Sequence, residues 1–178
     1  MLGLQGRYAD AEPLFRQVLA ARRRTLGDDH PDTLAARETL AWLTGLRGRL
    51  GEADELCRDV LAARLRVLGA DHPDTLATRA SLAWLTELRG RYAEAERQYR
   101  DVLAGRQATL GPGHPDTLAT RQDVARMIGR QRRAAEAEQL TRDVLADRNR
   151  VLGASHPDTE TARNELAQLT ARRTGDDG

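Results

Sequence analysis

The stretch Leu26-Gly27-Asp28-Asp29-His30-Pro31-Asp32-Thr33 decides the fold, because its pattern Leu-Gly-x-x-His-Pro-Asp-Thr returns at Leu68, Leu110 and Leu152. The spacing is 42 residues each time. A fixed period of this length marks a chain of stacked modules, each burying its apolar face against its neighbours rather than in one central core. Such an array offers an elongated surface, which points to binding before chemistry.

Outward from each motif the sequence reads as a helix pair. Pro31 suits the first turn of a helix, and Asp32 sets a carboxylate against the positive end of its dipole. This predicts a helix A from Pro31 to near Gly48 and a helix B from about Gly51 to Leu68, with Gly69 as the stop. The element Gly90-Arg91-Tyr92-Ala93-Glu94-Ala95 shows the turn between the two helices most clearly. Ala, Leu, Arg and Glu are abundant and β-branched residues scarce, so intrinsic preference agrees with an all-α chain. The expected layout is one array over 1–173. It comprises a B helix over 7–27, modules at 31–69, 73–111 and 115–153, a polar capping helix over 157–172, and a tail over 174–178.

The residues at fixed places within a module are more specific. Helix A carries Arg79-x-x-Leu82-Ala83, the turn carries Gly90-x-Tyr92, and helix B carries Ala95, Tyr99 and Val102-Leu103. This pattern resembles the tetratricopeptide repeat, and the His-Pro-Asp-Thr loop makes it similar to the 42-residue variety of kinesin light chain and bacterial relatives. The resemblance implies an α-α superhelix of antiparallel helix pairs, right-handed, with the A helices lining a concave groove. It also implies a protein–protein interaction scaffold. One module departs from the pattern: Arg132 stands where Gly48 and Gly90 stand, and Ala134 where Tyr92 stands. That predicts a looser or redirected turn there.

Shifting by one period aligns Met1 with Leu43 and Gly6 with Gly48, so the chain is expected to begin inside an A helix. Leu14, Val18 and Leu19 would then lack their usual cover, which predicts a possible homodimer through the N-terminal helix. At the other end Glu160, Thr161 and Gln168 replace apolar residues, as a capping helix requires. Two alternatives to a peptide-binding scaffold follow. One is the C-terminal sensor or autoinhibitory segment of a larger signalling ATPase or transcriptional regulator, and the other is a self-assembling structural unit.

Composition removes several function classes. Basic and acidic residues number 28 and 27, so no net field draws the chain to nucleic acid. Every basic residue is Arg, a bias that fits GC-rich bacterial coding and leaves no lysine for a phosphate loop or a Schiff base. No apolar run approaches the ~18 residues of a membrane span, and no secretory leader is visible, so a cytoplasmic setting is expected. Cys57 takes the place of Phe15, Tyr99 and Thr141 in other modules and reads as a small core residue. Ser81 and Ser155 lie in no nucleophile motif, so neither an enzyme nor a cofactor is expected.

His30, His72, His114 and His156 look like a ligand set, but equivalent residues of stacked helix pairs lie on the order of 10 Å apart, too far for one metal. Each is read instead as organising its loop and helix start. Arg37, Arg79, Arg121 and Arg163 on helix A, and Arg22, Arg64, Arg106 and Arg148 on helix B, recur at the repeat period. Asp59, Asp101 and Asp143, with Glu12, Asp54, Glu96 and Glu138, supply carboxylates at the same period, which predicts ion pairs that fix register.

At 100° per residue, Ala35, Glu38, Thr39, Trp42 and Leu46 share one stripe of helix A, while Leu40 and Leu43 face away. By the resemblance this stripe faces the groove. The candidate ligand-binding residues are Glu38, Trp42 and Leu46, then Ala80, Trp84, Glu87 and Leu88, then Gln122, Arg126 and Arg130, and finally Asn164 and Gln168. The stripe passes from aromatic and apolar to basic and polar. It suits a protein or peptide segment with an apolar anchor and acidic residues, Trp and Arg being the residue types that most often dominate interface energy.

Overall fold

A computed structural model gives the backbone of residues 2–176 and the side chains of residues 11–171. Eight helices follow one another, and no strand occurs among the described residues. They are α1 (Leu2–Leu26), α2 (Pro31–Leu46), α3 (Leu50–Val67), α4 (Pro73–Leu88), α5 (Tyr92–Leu110), α6 (Pro115–Arg130), α7 (Ala134–Leu152) and α8 (Pro157–Asp176). The even-numbered helices are the A helices of the sequence pattern and the odd-numbered ones are the B helices. The chain divides into two compact units, one ending at Arg89 and the other beginning at Gly90. In the first, α1 packs on α2, α2 on α3 and α3 on α4; in the second, α5, α6, α7 and α8 pack in the same serial manner.

Each A helix starts at its motif for a visible reason. The four histidines are N-cap residues, and Nδ1 of His30, His72, His114 and His156 accepts the backbone N–H of the Asp two residues on, at 3.2 Å in every case. An orphan donor of the first turn is thereby satisfied. Thr33, Thr75, Thr117 and Thr159 are fully buried one residue further on. Their neighbours Leu34, Leu76 and Leu118 enter the core, Leu34 packing with Val60 and Ala63 of α3. Cys57 is buried among Ala41, Ala53 and Leu85, as its register position implies.

Two expectations need correction. The turn at Arg132 is not redirected: Gly48, Gly90 and Arg132 have φ of 78°, 75° and 63°, all left-handed. Arg132 N–H donates to Gly129 O and Arg133 N–H to Ile128 O, matching Gly48 to Gly45 and Arg49 to Thr44. Packing of α6 on α7 imposes the turn, and the arginine bears the steric cost of its Cβ there, on the order of 1–2 kcal/mol. The second correction concerns the ends. No break separates a preceding A helix at Gly6; α1 runs unbroken from Leu2 to Leu26. Likewise α8 continues through the start of the expected tail to Asp176.

Candidate functional site

The register of the modules is held by two sets of arginines, and locating them shows which surface remains. The first set lies on the B helices. Arg22, Arg64, Arg106 and Arg148 each donate to the backbone carbonyl of the Asp in the next His-Pro-Asp-Thr motif, at 2.8–3.0 Å. Arg64, nearly wholly buried, also reaches Glu38 at 2.7 Å and the Thr78 hydroxyl at 2.6 Å. These arginines were expected to pair with carboxylates at their own period; they serve mainly as staples to a helix N-terminus instead. A guanidinium satisfies both a carbonyl and a side-chain oxygen there because its donors form a fixed fork.

The second set lies at the A-to-B turns. Glu12, buried, receives Arg16, Arg47 and Arg49. Asp54 receives Arg58 and Arg89 at 2.5 and 2.9 Å, and Glu96 receives Arg100 and Arg133 at 2.5 and 2.9 Å. Glu138 receives Arg142. The hydrogen bond from Arg49, with those from Arg47 and Arg16 working against the cost of burial, holds the Glu12 carboxyl down to about 2. Asp59 and Asp101, expected to share this work, are exposed. The turn arginines were missed in the sequence although Arg47 and Arg89, and Arg49, Arg91 and Arg133, recur at the same 42-residue spacing. On helix A, Arg37 pairs with Asp28 at 3.4 Å and Arg121 with Asp147 at 2.5 Å.

The expected ligand-binding residues were placed on one flank of the A helices, and their surroundings differ between the units. In the first unit Trp42 is 46% exposed and Leu88 is exposed, with Leu46 partly so. Trp84 is different. Its ring lies against Gly45 of α2, so closely that a Cβ on that glycine would sit 2.9 Å from Cζ3, and it packs on the core around Cys57. The two tryptophans were expected to act alike; Trp84 is largely a packing residue and Trp42 an exposed one. Glu38 is engaged by Arg64 and, at 3.1 Å, by the Ser81 hydroxyl, so it links α2 to α3 and α4. Ala80 and Glu87 are partly buried on α4.

In the second unit four of the expected residues, Gln122, Arg126, Arg130 and Gln168, converge on one recess of about 140 Å³ between α6, α7 and α8. Gly129, Thr141, Glu165 and Leu169 complete its lining. Gln122 was expected on the open stripe but is only 7% exposed, because its amide nitrogen donates to Glu165 of α8. Burial pushes the Glu165 carboxyl above its ordinary range, and the charges of Arg126 and Arg148 hold it back. Arg126 pairs with Asp123, while Arg130 is exposed and lies 5.9 Å above the Tyr92 ring. Asn164 and Gln168 are exposed on α8.

Residues 1–63 and 45–108 match the tetratricopeptide repeat family model, and residues 117–158 match a second model of the same description. This chain belongs to the tetratricopeptide repeat family. The repeats are similar to those of a crystallised Podosopora anserina protein, named as a kinesin light chain with nearly identical TPR-like repeats. The two are 31% identical at a TM-score of 0.73, over 96% of this chain and 82% of that one. That structure is of a single-substitution variant; the unsubstituted protein gives a TM-score of 0.72 at the same identity and coverage. BtubC (BKLC) from P. vanneervenii shares the fold at a TM-score of 0.77 and 20% identity, over 98% of this chain and 69% of that one. No curated protein sequence matches the chain. Tetratricopeptide repeats generally mediate protein–protein interaction, on a fold that is typically a non-catalytic scaffold. Among the described residues no helix is long and apolar enough to cross a membrane.

Proposed function

We propose that these repeats are an interaction scaffold whose guest is a peptide or protein segment lying on the exposed flank of the A helices. The observation that carries the reading is Trp42, a large apolar side chain 46% exposed on that flank while caps and arginine staples on other faces fix the register. Trp42, Leu46 and Leu88 would anchor apolar side chains in the first unit, and Arg126 and Arg130 would meet carboxylates in the second. Burying an exposed indole stabilises a complex by roughly 2 kcal/mol or more.

The test is selection of peptides from a random displayed library on the immobilised full chain, followed by affinity measurement of the recovered consensus. Trp42→Ala and the Arg126→Ala/Arg130→Ala pair should each weaken binding by tenfold or more, whereas Arg58→Ala, on an exposed B-helix face, should not. No enrichment, or affinity indifferent to the A-helix variants, rejects the reading.

One observation favours a second occupant, another copy of the chain. Leu14 and Val18 of α1 are 61% and 42% exposed, although Val60, Val102 and Val144 at the register position of Val18 are fully buried. Light scattering that shows a dimer, converted to monomer by Val18→Asp, would support self-association through α1; a strict monomer at high concentration would remove it.

A further inference from the structure

The intact modules pack an A helix on the B helix that follows it, α2 on α3 and α6 on α7, and the series of described helices opens and closes on half of such a pair. Among the described residues α1 is a B helix with no A helix before it, and α8 is an A helix with no B helix after it. The intact pair shows what each half ordinarily meets. Leu34, in the first turn of α2, packs on Val60 and Ala63 late in α3. Ala41 shares a cluster with Ala53 and Cys57, and Leu56 packs on the cluster around Leu40.

The same register positions are uncovered on both half-modules. Val60, Val102 and Val144 are fully buried, whereas Val18 is exposed; Leu14, at the position of the partly buried Leu56, is 61% exposed. On the other half, Ala41, Ala83 and Ala125 are fully buried, whereas Ala167 of α8 is exposed. Each face is therefore the counterpart of the other. What α1 lacks is an A helix carrying residues such as Leu166 and Ala167, and what α8 lacks is a B helix carrying residues such as Leu14 and Val18.

Charge favours the same pairing. In an intact pair the start of the A helix lies beside the end of the B helix, as Asp29, just ahead of α2, shows by pairing with Arg66 of α3 at 2.6 Å. The first turn of α8 holds two carboxylates, Asp158 and Glu160, the latter in place of Leu34. The last turn of α1 carries Arg23 and Arg24, the latter at the position of Arg66. Ser155 stands where Asp29 stands, so the acid has moved from the loop into the helix. A buried leucine has become a carboxylate at the one end of the face where an incoming α1 is basic.

We propose that copies of this chain associate head to tail, α1 of one copy seating on α8 of the next and completing a module in continuing register. Leu14 and Val18 meet Leu166 and Ala167, and Glu160 reaches Arg24. The contact is heterologous, joining two different patches, whereas an α1-on-α1 dimer would use one patch twice and leave the α8 face uncovered. This rests on the reading that α1 takes a second copy, and names the surface of that copy which it meets.

Sedimentation velocity of the full chain from micromolar to millimolar concentration should show species of two or more copies, increasing with concentration. Val18→Asp, which sets an acid against Glu160, and Ala167→Arg, which blocks the α8 face, should each be monomeric alone. Both positions are exposed, so each variant should keep the circular dichroism and unfolding midpoint of the parent. Mixed in equal amounts they should form a complex of one copy of each, because the first retains α8 and the second retains α1. Arg24→Glu should weaken assembly roughly tenfold, and the double variant Arg24→Glu/Glu160→Arg should restore it. A strictly monomeric parent overturns both the head-to-tail contact and the self-association reading. Association of Ala167→Arg as strong as that of the parent overturns the head-to-tail contact alone and leaves an α1-on-α1 dimer. A mixture of the two variants that stays monomeric also overturns the contact, as does a double variant no better than Arg24→Glu.

Discussion

Replacing Gly45 by alanine puts a methyl group 2.9 Å from Cζ3 and 3.0 Å from Cη2 of Trp84, and 3.0 Å from Cδ2 of Leu85. Helix propensity alone would make this change favourable by about 1 kcal/mol. Overpacking against a ring with the core behind it costs about 1–3 kcal/mol, so the net expectation is a loss of up to about 2 kcal/mol. Gly129→Ala, where the nearest neighbours are Ala137 and Leu169 at 3.5 Å, carries the same propensity gain without the clash and should stabilise by about 0.5–1 kcal/mol. The assay is urea unfolding followed by far-UV circular dichroism and tryptophan emission, the latter reporting on the first unit because it contains both tryptophans. In a Trp84→Ala background two of these three contacts are gone and only that with Leu85 stays, so the loss at Gly45 should shrink by at least half. A Gly45→Ala protein more stable than its parent, or a loss undiminished without Trp84, would refute the assignment of Trp84 as the side chain seated on Gly45.

Arg132→Gly relieves a left-handed arginine and should stabilise the second unit by about 1 kcal/mol in the same urea assay; a loss would mean the turn does not demand φ near 63°. Arg64→Leu strands Glu38 and two further acceptors and should cost about 3 kcal/mol, against under about 1 kcal/mol for the exposed Arg58→Ala. Glu12 titrates at about 2 when folded against 4.5 ordinarily, so its contribution is fully present above pH 4.5 and is lost as pH falls toward 2. Glu12→Gln should therefore be less stable than the parent at pH 7, with the difference closing across that window; a constant difference would sink the ion cluster. Burial pushes the Cys57 thiol up to about 12, so it should resist alkylation at pH 8 until the protein unfolds, and rapid labelling of the native chain would contradict its place in the core.

The repeat, the helix pairs and their caps were legible because they are local. His-Pro-Asp-Thr carries its own N-cap, and the stripe that holds Trp42 follows from helical periodicity. The division of labour between Trp42 and Trp84 was not legible, since it depends on Gly45, which lies 39 residues from Trp84 in sequence and beneath its ring in space. The turn clusters join residues about 35–37 apart, Glu12 to Arg47 and Arg49, and their signal was present as a recurrence of arginine just after each A helix. The same holds for the recess: glycine retained at 129 while tryptophan gives way to Gln168 is a change of filling that only a register-aligned reading of two positions exposes. Arg132 misled for the opposite reason, because intrinsic preference argued against a turn that packing imposes.

The central claim is that the A-helix flank, left over once the staples and caps have set the register, is where a partner lies. The most direct measurement is a chemical-shift map of the 15N-labelled chain saturated with a library-selected peptide. The account predicts that the largest changes fall on Trp42, Leu46 and Leu88 or on Arg126, Arg130 and Gln168. Changes concentrated on the outer faces of the B helices, around Arg58 and Arg100, would contradict it.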